Sequence, residues 1–167
     1  VRDCRIDSTG FGWKCRGIRI ENTALTSEYA FLDSSDIDII GMRMSGKYSF
    51  QYTRDVRIAD SELDTKDAFW HSRNVTVVDS DLRGEYLGWY SENLTLIGCR
   101  ISGTQPLCYC RNLRLIDCTM EGTDLAFEYS DVHAEVKGNI ESVKNPRSGR
   151  IHAGSIGEVV LGDQVME

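Results

Sequence analysis

Asp60 and Asp79 lie nineteen residues apart, and so do Tyr52 and His71, His71 and Tyr90, and Tyr90 and Tyr109. If each period of the chain brought such residues together, two chemistries would follow. Carboxylates about 5 Å apart are the pair of a retaining glycosidase, and their repulsion would raise one pKa toward that of an acid catalyst. A row of aromatic rings bordered by charge suits sugar rings or a partner protein. His71, between Trp70 and Arg73 in sequence, is a third candidate, as a general base. Each has a plainer reading. Asp60 and Asp79 share a repeat position with Asn22, Gly41 and Gly98, which are turn residues. A single histidine in an aromatic row is more often structural or a ligand contact. The chain has no Ser-His-Asp logic, no phosphate-cradling glycine loop and no calcium-binding nonapeptide repeat.

The elements that would position these residues follow from the repeat. Blocks begin at Asp55, Asn74, Asn93 and Asn112, extend back to Asp36 and Gly17, and reach forward to Asp131. A fixed period of this length signals a solenoid. The second position holds Ile18, Ile37, Val56, Val75, Leu94, Leu113 and Val132, and the fourth Ile20, Ile39, Ile58, Val77, Leu96, Leu115 and Ala134, with polar residues between. That is the period of a strand with one buried face. Turn residues at the sixth position mark a corner. A second strand carries an apolar ninth position, and Gly46, Gly84, Gly103 and Gly122 mark another corner. A third strand runs through aromatic positions to a small eighteenth: Ser34, Thr53, Ser72, Ser91 and Cys110. One such coil cannot bury its own apolar face, but a stack of coils about 4.8 Å apart can. The expected fold is all-β: a single-stranded parallel β-helix of 19-residue coils with three short strands each. It is expected to be right-handed because strand crossovers are.

The third strand carries the candidate site. If position eighteen points inward, simple alternation sends the odd positions outward. The outer face then holds Phe50, Phe69, Tyr52, His71, Tyr90 and Tyr109, flanked by Arg54, Arg73, Glu92 and Arg111. A slip of one residue would expose Trp70 and Trp89 and bury Phe69. Either way aromatics face out, and the binding candidates are Tyr52, Trp70, His71, Trp89, Tyr90, Tyr109, Arg54, Arg73 and Glu92. In the last full coil Phe127 falls at position sixteen and Glu128 at seventeen.

Composition narrows the partners. A net charge of −7 opposes nonspecific phosphate binding, so neither nucleic acid nor an anionic membrane is expected. No run approaches the 18 apolar residues of a membrane span. Of six cysteines, Cys99 and Cys118 share a position one coil apart, within disulfide reach, and Cys108 and Cys110 point to one side of a strand. All six read more simply as buried free thiols in a reducing compartment, which suggests the cytoplasm. With no CxxC pair and no histidine cluster, no metal site and no cofactor are expected.

Residues 1–130 form coils, and the chain begins at Val1 in mid-repeat. It therefore reads as a fragment whose open coil end could pair with a second copy. Residues 131–167 form the last coils and a cap, with Lys137-Gly138-Asn139 replacing the second strand, a loop over 143–149, and strands near 150–154 and 158–161. Asn74-Val-Thr76 and Asn93-Leu-Thr95 match the glycosylation pattern only because the repeat supplies the asparagines.

Three runs are distinctive: Gly103-Thr-Gln-Pro-Leu-Cys-Tyr-Cys-Arg-Asn-Leu-Arg-Leu-Ile-Asp-Cys-Thr-Met120, Thr123-Asp-Leu-Ala-Phe-Glu-Tyr-Ser-Asp-Val132 and Val143-Lys-Asn-Pro-Arg-Ser-Gly-Arg-Ile151. Together they resemble a bacterial family of hypothetical proteins of unknown function with a pectin-lyase-like right-handed β-helix. The resemblance covers nearly the whole chain. It implies that fold and a longer full-length protein, and it supplies no catalytic set. The wider fold includes polysaccharide lyases and hydrolases, but the basic catalyst and calcium-binding acidic cluster of pectate lyases are not evident here. The expectation is therefore a carbohydrate-related protein that binds through an aromatic face. The competing expectation is a structural or protein-interaction module, and behind both stands a polysaccharide-cleaving enzyme.

Overall fold

Apolar side chains at positions two and four of each unit stack in straight columns. Val56 sits between Ile37 and Val75, and Val75 beside Leu94. Ile58, Val77, Leu96 and Leu115 form the neighbouring column. All eight side chains are buried, and each contributes roughly 1.5–3 kcal/mol gross. The chain is a parallel β-solenoid, seen in a computed structural model that describes residues 1–162.

The strands are β1 (Arg5–Asp7), β2 (Arg16–Ser27), β3 (Ser35–Lys47), β4 (Arg54–Ala59), β5 (Glu62–Lys66), β6 (Arg73–Val78) and β7 (Asp81–Arg83). They continue as β8 (Glu92–Ile97), β9 (Arg100–Thr104), β10 (Leu113–Thr119), β11 (Thr123–Asp124), β12 (Asp131–Lys144) and β13 (Ser148–Val160). Every pairing is parallel. The first side of the coil stacks β4, β6 and β8 between β3 and β10, and the second stacks β5, β7 and β9. In the long β2 and β3 one strand bends across both sides at the sixth position, where Asn22 (φ 46) and Gly41 (φ 69) are left-handed.

The corner at position one shows how side chains offset backbone strain. Asp55, Asn74, Asn93 and Asn112 are all left-handed, with φ from 52 to 56. A left-handed residue with a Cβ costs roughly 1–2 kcal/mol, and Asn and Asp tolerate it best. Here the amides form a ladder. Asn74 Nδ2 donates to Asp55 Oδ1 (3.3 Å), Asn93 to Asn74 (3.0 Å) and Asn112 to Asn93 (2.7 Å). The two glycosylation-pattern asparagines thus spend their side chains within the stack.

The third side corrects the sequence expectation, because it contains turns and no strand. Positions fifteen and seventeen are both left-handed: Phe50 (φ 60) and Tyr52 (φ 56), Phe69 (φ 65) and His71 (φ 54), Gly88 (φ 74) and Tyr90 (φ 58). Ser72 N–H donates to the carbonyl of Phe69, closing a four-residue turn, and Ser91 does the same to Gly88 (both 3.1 Å). With a left-handed third residue this has the form of a type II turn, in which glycine is usual. Position fifteen donates its N–H to the coil before, as Phe69 does to Ser49, and position seventeen to the coil after, as His71 does to Trp89. The hydroxyls of Thr53, Ser72 and Ser91 each accept no strand role but donate to the carbonyl three residues back, at 2.7–2.8 Å. Position eighteen is therefore a hydroxyl position as well as a small one.

The C-terminal coils depart from expectation in two ways. β12 and β13 each run through the corner as one long strand, with a register shift between Val136 and Asn139. Lys137-Gly138-Asn139 is thus a bulge within a strand, and the intervening loop is only 145–147. In the coil before, Thr119 pairs with Arg100, nineteen residues back, but Thr123 pairs with Gly103, twenty back. The spacing returns to nineteen at Val132, opposite Leu113. Over the intervening stretch every residue therefore sits one position earlier than counting by nineteens would place it. The last five residues of the expected cap, 163–167, lie outside the described residues.

Candidate functional site

The turn geometry of the third side separates two aromatic rows that strand alternation would have put together. Phe31, Phe50 and Phe69 stack inside, with ring centroids 4.7 and 5.0 Å apart, and all three are buried. Phe50 and Phe69 were expected on the outer face. They turn inward because positions fifteen and eighteen, three apart, are the inward pair of the turn. The outer row is Tyr52, His71, Tyr90, Tyr109 and Tyr129. Its successive centroid distances are 5.2, 5.1, 4.9 and 5.9 Å, and its planes lie within 26° of parallel. Tyr52 is 51% exposed and Tyr90 44%.

Stacking fixes what this row can offer a ligand. Ring faces inside the row are covered by the next ring, so solvent meets ring edges, phenol hydroxyls and the imidazole edge. Only the two end rings lack an aromatic neighbour on one face. Two positions on, Arg54, Arg73 and Arg111 run alongside, and between the two rows lies a shallow groove of about 510 Å³ closed at one end by Asp33. Arg73 faces Glu92 at 3.8 Å. Arg54 and Arg111 have no ion-pair partner among the described residues. Burial, then the nearby Glu128 carboxylate, pushes the Tyr109 phenol up to about 12, so it remains a hydrogen-bond donor at any physiological pH. The groove is thus a line of donors broken in the Tyr90 coil, where the Glu92 carboxylate takes the place of an arginine.

Trp70 and Trp89 stand behind the row, half-buried. Trp70 lies tilted 5.1 Å from His71, Trp89 lies edge-on 5.3 Å from Tyr109, and the Trp89 indole N–H donates to the Gln105 carbonyl (2.7 Å). Of the predicted binding residues, the groove gathers Tyr52, His71, Tyr90, Tyr109, Arg54, Arg73 and Glu92. The two tryptophans brace it. Asp60 and Asp79 are elsewhere, on the corner between the first and second sides, left-handed at φ 50 and 49 and exposed. Their place is that of the turn residues above and below them.

Counting by nineteens missed two residues. The one-residue insertion moves Tyr129 into the outer row and Phe127 into the inner one. It places Glu128 at position sixteen, where it is fully buried and lies 3.2 Å from Lys144 Nζ. No hydrogen bond reaches either Glu128 oxygen, so Lys144 is the only group balancing its charge among the described residues. Tyr129 was legible only as an aromatic one residue out of step.

The cysteines divide by position. Cys4 and Cys15, expected inward, are exposed. Cys99, Cys108, Cys110 and Cys118 are buried free thiols. Cys99 donates to Cys118, which together with burial pushes Cys99 up and draws Cys118 down, while burial lifts Cys108 to about 12 and Cys110 to about 11. The three raised thiols are poor nucleophiles.

Among solved structures the chain is similar to a trypsin-treated variant of QnrB1, a plasmid-mediated fluoroquinolone resistance protein. The likeness has 11% identity and a TM-score of 0.28 over 93% of this chain and 91% of that one. No curated protein matches the chain. The family described as protein of unknown function, DUF3737, matches residues 1–167. With the whole length matched, the chain belongs to the DUF3737 family.

Proposed function

We propose that this protein is a non-catalytic binding module that takes a carbohydrate chain lengthwise along the third side. One observation carries the reading: the outer aromatic row and the arginine row face each other across a single groove. Ring donors recur at the coil spacing, about 4.8 Å, and guanidinia stand beside them in three of the four coils, with Glu92 in the other. A glycan offers hydroxyl, ring and carboxylate oxygens at similar intervals. Since the ring faces are stacked on each other, hydrogen bonds from phenols and guanidinia hold the chain, and ring stacking contributes only at Tyr52, the end ring that lines the groove. A pectin-lyase-like active site is not part of this proposal, because the paired aspartates sit on another corner as turn residues.

The test is glycan-array binding followed by titration with the best ligand. Tyr90→Phe and Arg54→Gln, which leave the stack and the core intact, each weaken binding several-fold, and together at least tenfold. Undiminished binding in the double variant contradicts the reading.

A second reading, a protein-interaction module, is favoured by a different feature. Ile40, Ala59, Val78, Ile97 and Ile116 form an apolar row on the outer surface of the first side, with Ile40 42% and Ile116 39% exposed. Loss of a co-purifying partner in Val78→Lys, with glycan binding unchanged, would favour it.

A further inference from the structure

A concavity of about 1080 Å³ lies on the outer first side at the C-terminal coils, away from the aromatic groove. Arg114, His133 and Arg150 stand in register across it on β10, β12 and β13. His152 and Lys137 line it as well. In a chain of net charge −7 this gathers three basic side chains and two histidines beside Asp117 and Glu135. Lys137 approaches Asp117 at 4.0 Å, but Arg114, His133, Arg150 and His152 make no ion pair among the described residues. Elsewhere in the same column Arg19 is held by Glu21 at 2.8 Å.

The backbone opens the space. The β12 bulge places Gly138 (φ 80) at the edge, where even a Cβ would touch nothing within 4 Å, and Gly154 lies against it on β13. Two guanidinia and, between them, an imidazole stand in one row about 4.8 Å apart, and all three can donate hydrogen bonds to one anion.

We propose that this concavity binds a small ligand carrying a diphosphate group. The length of the row selects the ligand. It spans two coil spacings, roughly 10 Å, so one phosphate can bridge each gap. Toward the N-terminal coils it stops, because Thr95 and Thr76 occupy the next two positions of the column. A long polyanion would need the cations to continue. Asp117 and Glu135, which also line the concavity, oppose a chain lying across it. Guanidinium groups match phosphate oxygens in pairs. The site is independent of the carbohydrate groove.

The experiment is calorimetric titration with inorganic pyrophosphate at about 0.15 M salt, where exposed charges beyond about 8 Å are screened. One site per chain is expected. Arg114→Gln combined with Arg150→Gln weakens it at least tenfold, and His133→Gln weakens it less. Arg57→Gln, in the same column three coils away, leaves it unchanged. Thermal melts of each variant verify the fold. The proposal is overturned if pyrophosphate shows no saturable binding. It is also overturned if Arg57→Gln weakens binding as much as the double variant, or if a heparin oligosaccharide binds while pyrophosphate does not.

Discussion

His71 stacks on Tyr90 with ring centroids 5.1 Å apart and planes 7° from parallel, although both residues are left-handed at turn positions where glycine is usual. The stack offsets the backbone strain, since each aromatic pair is worth about 0.5–1.5 kcal/mol beyond its buried area. Tyr90→Ala loses the pairs with His71 and Tyr109 and keeps the strain, so urea denaturation should show a loss of about 1–3 kcal/mol. Tyr90→Phe keeps both pairs and should stay within about 0.5 kcal/mol of wild type.

The inner and outer rows differ sharply in what truncation does. Phe50→Ala empties a fully buried position stacked on both sides and should cost about 3–5 kcal/mol. Tyr52→Ala removes an end ring that is half exposed and should cost about 1 kcal/mol. Equal costs in chemical denaturation would mean that the two rows share one face.

The asparagine ladder separates side-chain from backbone effects at one residue. Asn93 donates to Asn74, accepts from Asn112 and is left-handed at φ 56. Asn93→Gly loses the amide bonds and relieves the strain, whereas Asn93→Ala loses the bonds and keeps it. The alanine variant should be the less stable of the two by about 1 kcal/mol, read as a difference in denaturation midpoints.

Glu128 and Lys144 form a buried pair 3.2 Å apart. Lys144→Ala strands the carboxylate and should cost about 3–5 kcal/mol. Replacing both, as Glu128→Gln with Lys144→Met, leaves no buried charge and should cost much less. A double-mutant cycle measures the coupling between them.

Acid should weaken the last coils through Asp131. Hydrogen bonds from Arg147 and Ser148 hold its carboxyl at about 2, below its ordinary 3.8. The folded state therefore gains from this group above its unfolded pKa and loses that gain as pH falls from about 4 through 2. The melting temperature of the wild type should exceed that of Asp131→Asn near pH 5, and the gap should close by about pH 2.

The period, the apolar columns and the corners were readable because each rests on a local residue type repeated at fixed spacing. Val75, Leu94 and Leu113 needed only the strand rule. The third side was misread because that rule was extended to residues that form turns. Phe69 and His71 are both left-handed, and in a type II turn the inward positions lie three apart, not two. The serine at position eighteen carried that information through its hydroxyl, which caps the carbonyl of position fifteen. Glu128 and Tyr129 were misplaced by a one-residue insertion near Glu121-Gly122, where Gly122 falls in the corner-glycine column by count although Thr123 is the residue that pairs with Gly103. The structure brings Tyr52, His71, Tyr90, Tyr109, Arg54, Arg73 and Glu92 to one groove, but stacking, which hides the ring faces, is a property of the folded coil alone.

Backbone amide chemical-shift mapping, titrating the labelled protein with the glycan that the array selects, tests most directly whether a carbohydrate chain lies along the groove between the tyrosine row and the arginine row. Shifts should concentrate at 52–54, 71–73, 90–92 and 109–111, repeating once per coil. Shifts confined to Ile40, Val78 and Ile116 on the first side, or to the corner of Asp60 and Asp79, would contradict that placement.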